Sequence, residues 1–200
     1  MNSAGAARRP YRMTARAEMA AATGERILDA AEELFWSRPL DKLHLQDVAA
    51  GAGVTVQTII RRFGSKEGMV SAAAERATER VRSERDRAPV GDVAGAVRNL
   101  VAHYEKDGDR ALRLLAEEDA SPLIAEIAER GRMLHRQWVR RTFAPQLERR
   151  GGREWALLTA QLIAVTDVYV WKLLRRDARL SRPQVERAVT ELIEGLEQAA

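Results

Sequence analysis

His44-Leu45-Gln46-Asp47-Val48-Ala49-Ala50-Gly51-Ala52-Gly53-Val54-Thr55-Val56-Gln57-Thr58-Ile59-Ile60-Arg61-Arg62-Phe63-Gly64-Ser65-Lys66-Glu67-Gly68-Met69-Val70 holds two short helical patterns, one on each side of Ala50-Gly51-Ala52-Gly53. The first pattern supplies Leu45, Val48 and Ala49 at helical spacing. After the glycines, Thr55 has the hydroxyl of an N-cap, and Val56, Ile59, Ile60 and Phe63 recur at i, i+3, i+4 and i+7. This spacing predicts a helix-turn-helix. At 100° per residue, Ile59 and Phe63 face inward on the second helix, and Gln57, Thr58 and Arg61 face outward. Ile60 and Arg62 lie on its flanks. The outward face is polar and cationic and carries no acid.

A helix with such a face suits the major groove of B-DNA, where an amide reads a base edge and guanidinium groups meet phosphates. The competing reading is an ordinary corner between two surface helices. Gly64-Ser65-Lys66-Glu67 bears on the choice. It starts a third helix at once, with Ser65 as N-cap and Lys66 projecting from the first turn.

Taken together, Asp47-Val48-Ala49, Ala52-Gly53-Val54-Thr55, Thr58-Ile59-Ile60-Arg61-Arg62-Phe63 and Ser65-Lys66-Glu67 resemble the N-terminal domain of the tetracycline-repressor (TetR) family of bacterial regulators. The resemblance starts near Thr23, is specific to about residue 70, and is architectural beyond. It implies a homodimeric repressor that binds a palindromic double-stranded DNA operator and is released by a small-molecule effector held in the C-terminal domain. By position it implies phosphate or mixed contacts from Thr55, Thr58, Arg61, Arg62 and Lys66, and base reading by Gln46, Val56, Gln57 and Ile60. Two positions depart from the commonest family pattern. Ile60 stands where tyrosine is usual, which removes a hydroxyl contact, and Arg62 stands where histidine is usual, which adds a permanent charge. His44 replaces a common threonine cap.

The expected fold is all-α, from the helical patterns, and the length suits one or two domains. The 200 residues are 46% hydrophobic, enough to bury a substantial core. With no cysteine, disulfides, iron–sulfur clusters and thiolate zinc sites are excluded. Residues 1–22 lack the long apolar core of a signal peptide, so a cytoplasmic protein is expected. The net charge is +4, and Arg8, Arg9, Arg12 and Arg16 place four positive charges, without an acid, in the first sixteen residues. The expected organisation is a disordered basic tail over 1–22, a DNA-binding domain over 23–70 and a helical effector-binding and dimerisation domain over 71–200. The tail lies along DNA or in water. Thr23 is the expected cap of the first helix, whose stripe is Ile27, Ala30, Ala31, Leu34 and Phe35, with Trp36 and Leu43 closing its base. A helix from Ser65 to about residue 88 connects the domains.

The C-terminal region reads as five helices, broken at Asp107-Gly108, Ser121-Pro122, Pro145, Gly151-Gly152 and Ser181-Arg182-Pro183. Ser121-Pro122 fits a cap and first-turn proline, and Ser181 with Gln184 fits a capping box. Between 122 and 144, Ile124, Ile127, Gly131, Leu134 and Trp138 form a stripe opposite Arg132, Arg136 and Arg140, a row facing solvent or an anion. Trp155 to Leu174 is the most apolar stretch, but Gln161, Asp167 and Lys172 argue for a buried helix and against a membrane span. Its two apolar sides both need cover, one from its own domain and one from a partner subunit, so the dimer seam is expected over 153–175 and 183–198.

For the effector, Trp138 and Trp171 are the best lining candidates, with Tyr104 behind them. Asp167 is either a polar ligand group or a hydrogen-bond partner for nearby backbone or indole N–H. No cofactor or metal is expected, since His44, His103 and His135 are scattered and no phosphate loop or nucleophile motif appears. That leaves little for the enzyme reading. An effector-independent architectural DNA-binding dimer is the other alternative, and the aromatic content of the C-terminal half weighs against it.

Overall fold

The computed structural model describes residues 8–198, with side chains from residue 17 onward. Every regular element in them is a helix: α1 (Arg8–Ser37), α2 (Leu45–Ala52), α3 (Val56–Phe63), α4 (Lys66–Arg85), α5 (Val93–Ala116), α6 (Pro122–Thr142), α7 (Ala144–Leu147), α8 (Gly152–Val165), α9 (Val168–Lys172) and α10 (Arg182–Gln198). The chain forms two compact units, Met1–Arg76 and Ala77–Ala200. Helix α4 gives its first half to one and its second half to the other. No single helix among the described residues is long and apolar enough to cross a membrane.

In the first unit, α1 packs on α2 and α2 on α3. Ile27, Ala31, Leu43, Val48, Ile59, Met69 and Val70 are almost fully buried between them. The long α1 corrects the expected cap and, over residues 8–22, the expected tail; residues 1–7 lie outside the described residues. Backbone from Arg8 is helical, and the Thr23 hydroxyl donates to the Met19 carbonyl within the helix. The reason lies in Ala15, Ala17, Ala20, Ala21 and Ala22, the best helix formers, which carry the helix past a residue that locally looks like a cap. The side chains of Arg8, Arg9, Arg12 and Arg16 lie outside the described residues.

In the second unit, α5 packs against α6, α9 and α10, while α8 packs against α6 and α10. The core holds Val97, Leu100, Val101, Val139, Phe143, Leu158, Leu162, Trp171, Val189 and Ile193. Two expected boundaries are corrected here. Helix α5 runs straight through Asp107-Gly108. Gly108 is there for close packing: a Cβ on it would lie 2.5 Å from Cζ3 of Trp171. In contrast, the single helix expected over 155–174 is broken at Thr166-Asp167, where Asp167 N-caps α9, followed by a π-helical turn, Leu173–Asp177. The expected five helices become six: the continuous α5 removes one, and this break and the short α7 that follows Phe143 add two. Ser121 makes no side-chain cap bond. At Ser181, the Gln184 side-chain oxygen accepts from the serine N–H, which is the return bond of a capping box, and also from the serine hydroxyl, which in a full box would instead accept from the Gln184 N–H.

Candidate nucleic-acid interface and a buried polar cluster

The geometry of α2 and α3 follows from short-range chemistry. Gly53 takes the left-handed conformation (φ 64°) that ends α2, a conformation costly for any residue with a Cβ. Thr55 then caps α3, its Oγ1 accepting from Thr58 N–H at 3.2 Å. Ser65 Oγ accepts from Gly68 N–H at 3.0 Å and opens α4. His44 stands at the N-cap of α2 without a side-chain bond, so the substitution there does forfeit a cap.

Ile59 is fully buried and anchors α3, and Phe63 is half-buried beside it. Gln57 and Arg61 are exposed, Thr58 and Ile60 half-exposed, and Val56 half-exposed at the start of the helix. Gln46 is exposed in the first turn of α2, and Thr55 is exposed at the N-cap of α3. Arg61 makes no ion pair among the described residues, which leaves its charge available.

The other two cations are engaged. Arg62 Nη1 donates to the Ala20 carbonyl at 2.8 Å, and its guanidinium lies so close to Gly24 that a Cβ there would meet Nη2 at 2.3 Å. Lys66 Nζ donates to the Leu40 carbonyl at 3.2 Å. In the free protein both brace α3 and α4 against the elements before them. Arg26 and Arg38 do the same for α2, bonding the Ala52 carbonyl and the Asp47 carboxylate. The strongest brace is Arg76, which meets Glu25 at 2.8 Å, Asp29 at 2.7 Å and Glu32 at 2.8 Å, all on α1. Partial burial opposes its charge, but the three carboxylates more than offset this and raise its pKa. Sequence reading had no signal for this clamp, since its acids lie more than forty residues away.

In the second unit, three of the four candidate lining residues have structural partners. Tyr104 is buried and donates from its hydroxyl to the Thr166 carbonyl at 3.0 Å. Trp171 donates from Nε1 to Glu105 at 3.0 Å. Asp167 accepts from Tyr169 N–H at 2.9 Å, the backbone role weighed for it above. Trp138 differs: it is buried, and its Nε1–H has no partner. Of the arginine row, Arg132 and Arg136 pair with Glu129, and Arg140 lies over the ring of Trp155, so no open anion site forms there.

Around Trp138 lies a group that sequence reading missed. Arg85, the last residue of α4, is only 5% exposed. Its guanidinium stands 5.5 Å from the ring centroids of both Tyr104 and Trp138. Its Nη1 lies 3.1 Å from Nδ1 of His135, whose Nε2 is 3.3 Å from the Ile163 carbonyl and 3.1 Å from Thr166 Oγ1. These contacts fit a neutral imidazole that accepts from arginine and donates from Nε2. Burial, and then the charge of Arg85, push the His135 pKa down to about 3. His103 is pushed down to about 3 by the same two causes in the same order, and its Nδ1 is buried without a hydrogen bond. Among the described residues no carboxylate pairs with Arg85. The only sequence signal was an arginine at the end of a charge-dense stretch, which reads as solvated.

Residues 27–73 match the family described as bacterial regulatory proteins, tetR family. The HTH-type transcriptional regulator AlkX of Mycobacterium tuberculosis is 28% identical over 145 residues, covering 70% of this chain and 64% of that protein. An uncharacterised HTH-type transcriptional regulator of the same species is 39% identical over 69 residues, 34% of this chain and 33% of its own length. The chain thus spans less than two thirds of either relative. Among solved structures, a putative transcriptional regulator from Pseudomonas aeruginosa PAO1 superposes with a TM-score of 0.67 at 18% identity, covering 88% of this chain and 90% of that one. GusR of Salmonella enterica gives 0.64 at 20% identity, covering 88% and 95%. At such identities the structural likeness establishes the fold.

Proposed function

We propose, from the premise that this chain belongs to the TetR family through residues 27–73, that it is a sequence-specific DNA-binding regulator of transcription with α3 as its recognition helix. The observation that carries this reading is the division of α3 itself. Ile59 is wholly buried, while Gln57 and Arg61 stand exposed on a helix whose N-terminus is capped by Thr55. In this reading Gln46, Val56, Gln57 and Ile60 face base edges, with the Gln57 amide suited to adenine and the two aliphatics to thymine methyls. Thr55, Thr58 and Arg61 meet phosphates. Arg62 and Lys66 join them by exchanging their carbonyl partners for phosphate oxygens.

The protein acts as a homodimer in the cytoplasm, represses from a palindromic operator, and releases it when a small molecule enters the second unit. Support for the dimer comes from Ala156, Leu157, Ala160 and Ala164, exposed at helical spacing on α8, and from Leu192 on α10. Leu157 is 60% exposed and Leu192 49%, large values for leucine in a protein with a well-formed core. Support for the effector comes from the buried aromatic and polar cluster around Trp138.

Selection of binding sites from random duplex DNA tests the first half: wild type should return a palindrome, and Gln57→Ala should relax one position in each half-site. A protein that enriches no sequence would remove the regulator reading. Tryptophan titration of a compound that stabilises the protein, with and without operator, tests the second half. Coupling must be reciprocal, so operator should weaken the compound by the same factor by which the compound weakens operator binding. Equal affinity in both titrations would favour an architectural role without an effector.

A further inference from the structure

We propose that the Arg85 cluster is a binding site for a small apolar monocarboxylate, with Arg85 as the group that recognises its charge. This deepens the effector reading and rests on it for its regulatory meaning, though not for binding itself.

The argument starts from the cost of the charge. A guanidinium that is 95% buried loses its hydration, a penalty of several kcal/mol, which a protein normally offsets with a carboxylate. Here the compensation is partial. Two rings at 5.5 Å contribute about 0.5–2 kcal/mol each, and a neutral histidine accepts one N–H. The Nε–H of Arg85 and the Nε1–H of Trp138 are both buried without partners. Neither group can accept, so each is satisfied only by an incoming acceptor. Thr142 Oγ1, one helical turn after Trp138, is likewise buried and unpartnered.

The surrounding groups narrow the ligand. Burial holds His103 and His135 neutral, so Arg85 is the one cation at the centre of the cluster, and the nearby Asp167 carboxylate, whose charge acts on Tyr104, accepts from the Tyr169 N–H. Lys106, which influences His103, is paired with Glu84. One positive charge matches a monoanion, whereas a doubly charged phosphate would carry an uncompensated charge into a low-dielectric core. Leu100, Val139 and Phe143 belong to the same buried apolar cluster as Tyr104 and Trp138, and the Trp138 and Phe143 rings meet edge to face at 5.7 Å. A carboxylate on a short aliphatic or aromatic body matches these donors and their apolar surroundings. Arg85 ends α4 and is followed at once by the exposed Asp86 and Arg87, so the route from solvent is short.

The test uses the full-length protein with sodium benzoate and sodium octanoate as probes, benzamide and octanamide as uncharged counterparts, and sodium chloride and phosphate at matched ionic strength. Thermal shift and tryptophan fluorescence report binding. The carboxylates should bind saturably, and their amides at least ten-fold more weakly. Arg85→Met should lose at least ten-fold in carboxylate affinity while keeping its far-ultraviolet circular dichroism, and Arg85→Lys should recover part of the loss. Trp138→Phe, which keeps the aromatic ring and removes the N–H, should weaken binding several-fold and serves if Arg85→Met does not fold. Equal binding of acid and amide, unchanged affinity in the variants, or no saturable binding below about 10 mM would each overturn the proposal, the last on the scale of weak ligands. Operator affinity is measured in parallel. Carboxylate binding that needs Arg85 but leaves operator affinity unchanged upholds this site and refutes the effector reading. Release of operator by uncharged compounds, with no carboxylate binding, does the reverse.

Discussion

Replacing Arg76 by methionine keeps most of its aliphatic stem and removes the guanidinium that joins α4 to α1. The loss can be built up bond by bond. Glu25 and Asp29 have side chains 63% and 70% exposed, so their ion pairs with Arg76 contribute about 0.2–1 kcal/mol each after solvent screening. Glu32 is different, with only 14% exposure, and Arg76 reaches it through both Nε and Nη2 at 2.9 and 2.8 Å. A charge-assisted pair in that setting contributes about 1.5–3 kcal/mol. Together these give a loss of about 2–5 kcal/mol for the N-terminal unit, large against the stability of a unit that size. Urea unfolding followed by a probe in α1 should show the midpoint drop, and operator affinity should fall because α1 is part of the scaffold for α3. A double-mutant cycle locates the energy: coupling of Arg76 to Glu32 should exceed about 1 kcal/mol, and coupling to Glu25 should stay below it. A total loss under about 1 kcal/mol, or equal coupling to the two acids, would refute the partition by burial.

Arg61→Ala should weaken binding to all DNA sequences alike and lower the magnitude of the salt slope by about 1, because an exposed, unpaired guanidinium can neutralise one phosphate; an unchanged slope in a salt titration would place the side chain in water. Ala160→Glu or Ala164→Glu should yield monomers in ultracentrifugation that bind operator weakly, since two half-sites must be engaged together, and an intact dimer would move the interface elsewhere. Gly108→Ala should destabilise the second unit by about 1–3 kcal/mol as Trp171 is forced aside, less a gain of up to about 1 kcal/mol in helix propensity; chemical denaturation showing a net gain would contradict the close contact. Stability should also fall in mild acid. His103 and His135 are held near pKa 3 by burial and then by Arg85, with Lys106 adding to His103, Arg136 to His135, and Asp107 standing 3.8 Å from the His103 ring. The folded state therefore binds fewer protons than the unfolded one between about pH 3 and 6.5, so this stability is complete above 6.5 and lost as pH falls. From pH 7 to 5 each histidine should contribute a loss of about 2 kcal/mol, and His103→Gln/His135→Gln should flatten the slope; identical slopes would show that the rings are not held neutral.

The sequence by itself determined the helix-turn-helix, because the signals that bound it act over one turn of chain. Thr55 and Ser65 accept from N–H groups three residues on, Gly53 supplies a positive φ, and Ile59 and Phe63 follow the period of the helix they belong to. Such contacts are written within a few residues and survive whatever the rest of the molecule does. Where two local signals competed, local reading chose wrongly: Thr23 has the chemistry of a cap, but the alanines before it carry the helix onward. Gly108 has the look of a break and serves as a seat for Trp171, a residue sixty-three positions later. The reverse holds at Asp167, a cap concealed in an apolar run, which the tertiary structure exposes by turning the chain between α8 and α9.

Tertiary structure alone decided which charges are buried. Arg76 and Arg85 lie in one charge-dense helix and look alike in the sequence, yet one meets three carboxylates from α1 and the other meets two aromatic rings and a neutral histidine from α5 and α6. Burial depends on what arrives from distant segments, and the desolvation cost that makes a charge informative exists only after they have packed. That is why the proposed DNA-binding face could be read from twenty-seven consecutive residues, while the clamp at Arg76 and the polar cluster at Arg85 became visible only when α1, α5 and α6 stood around them.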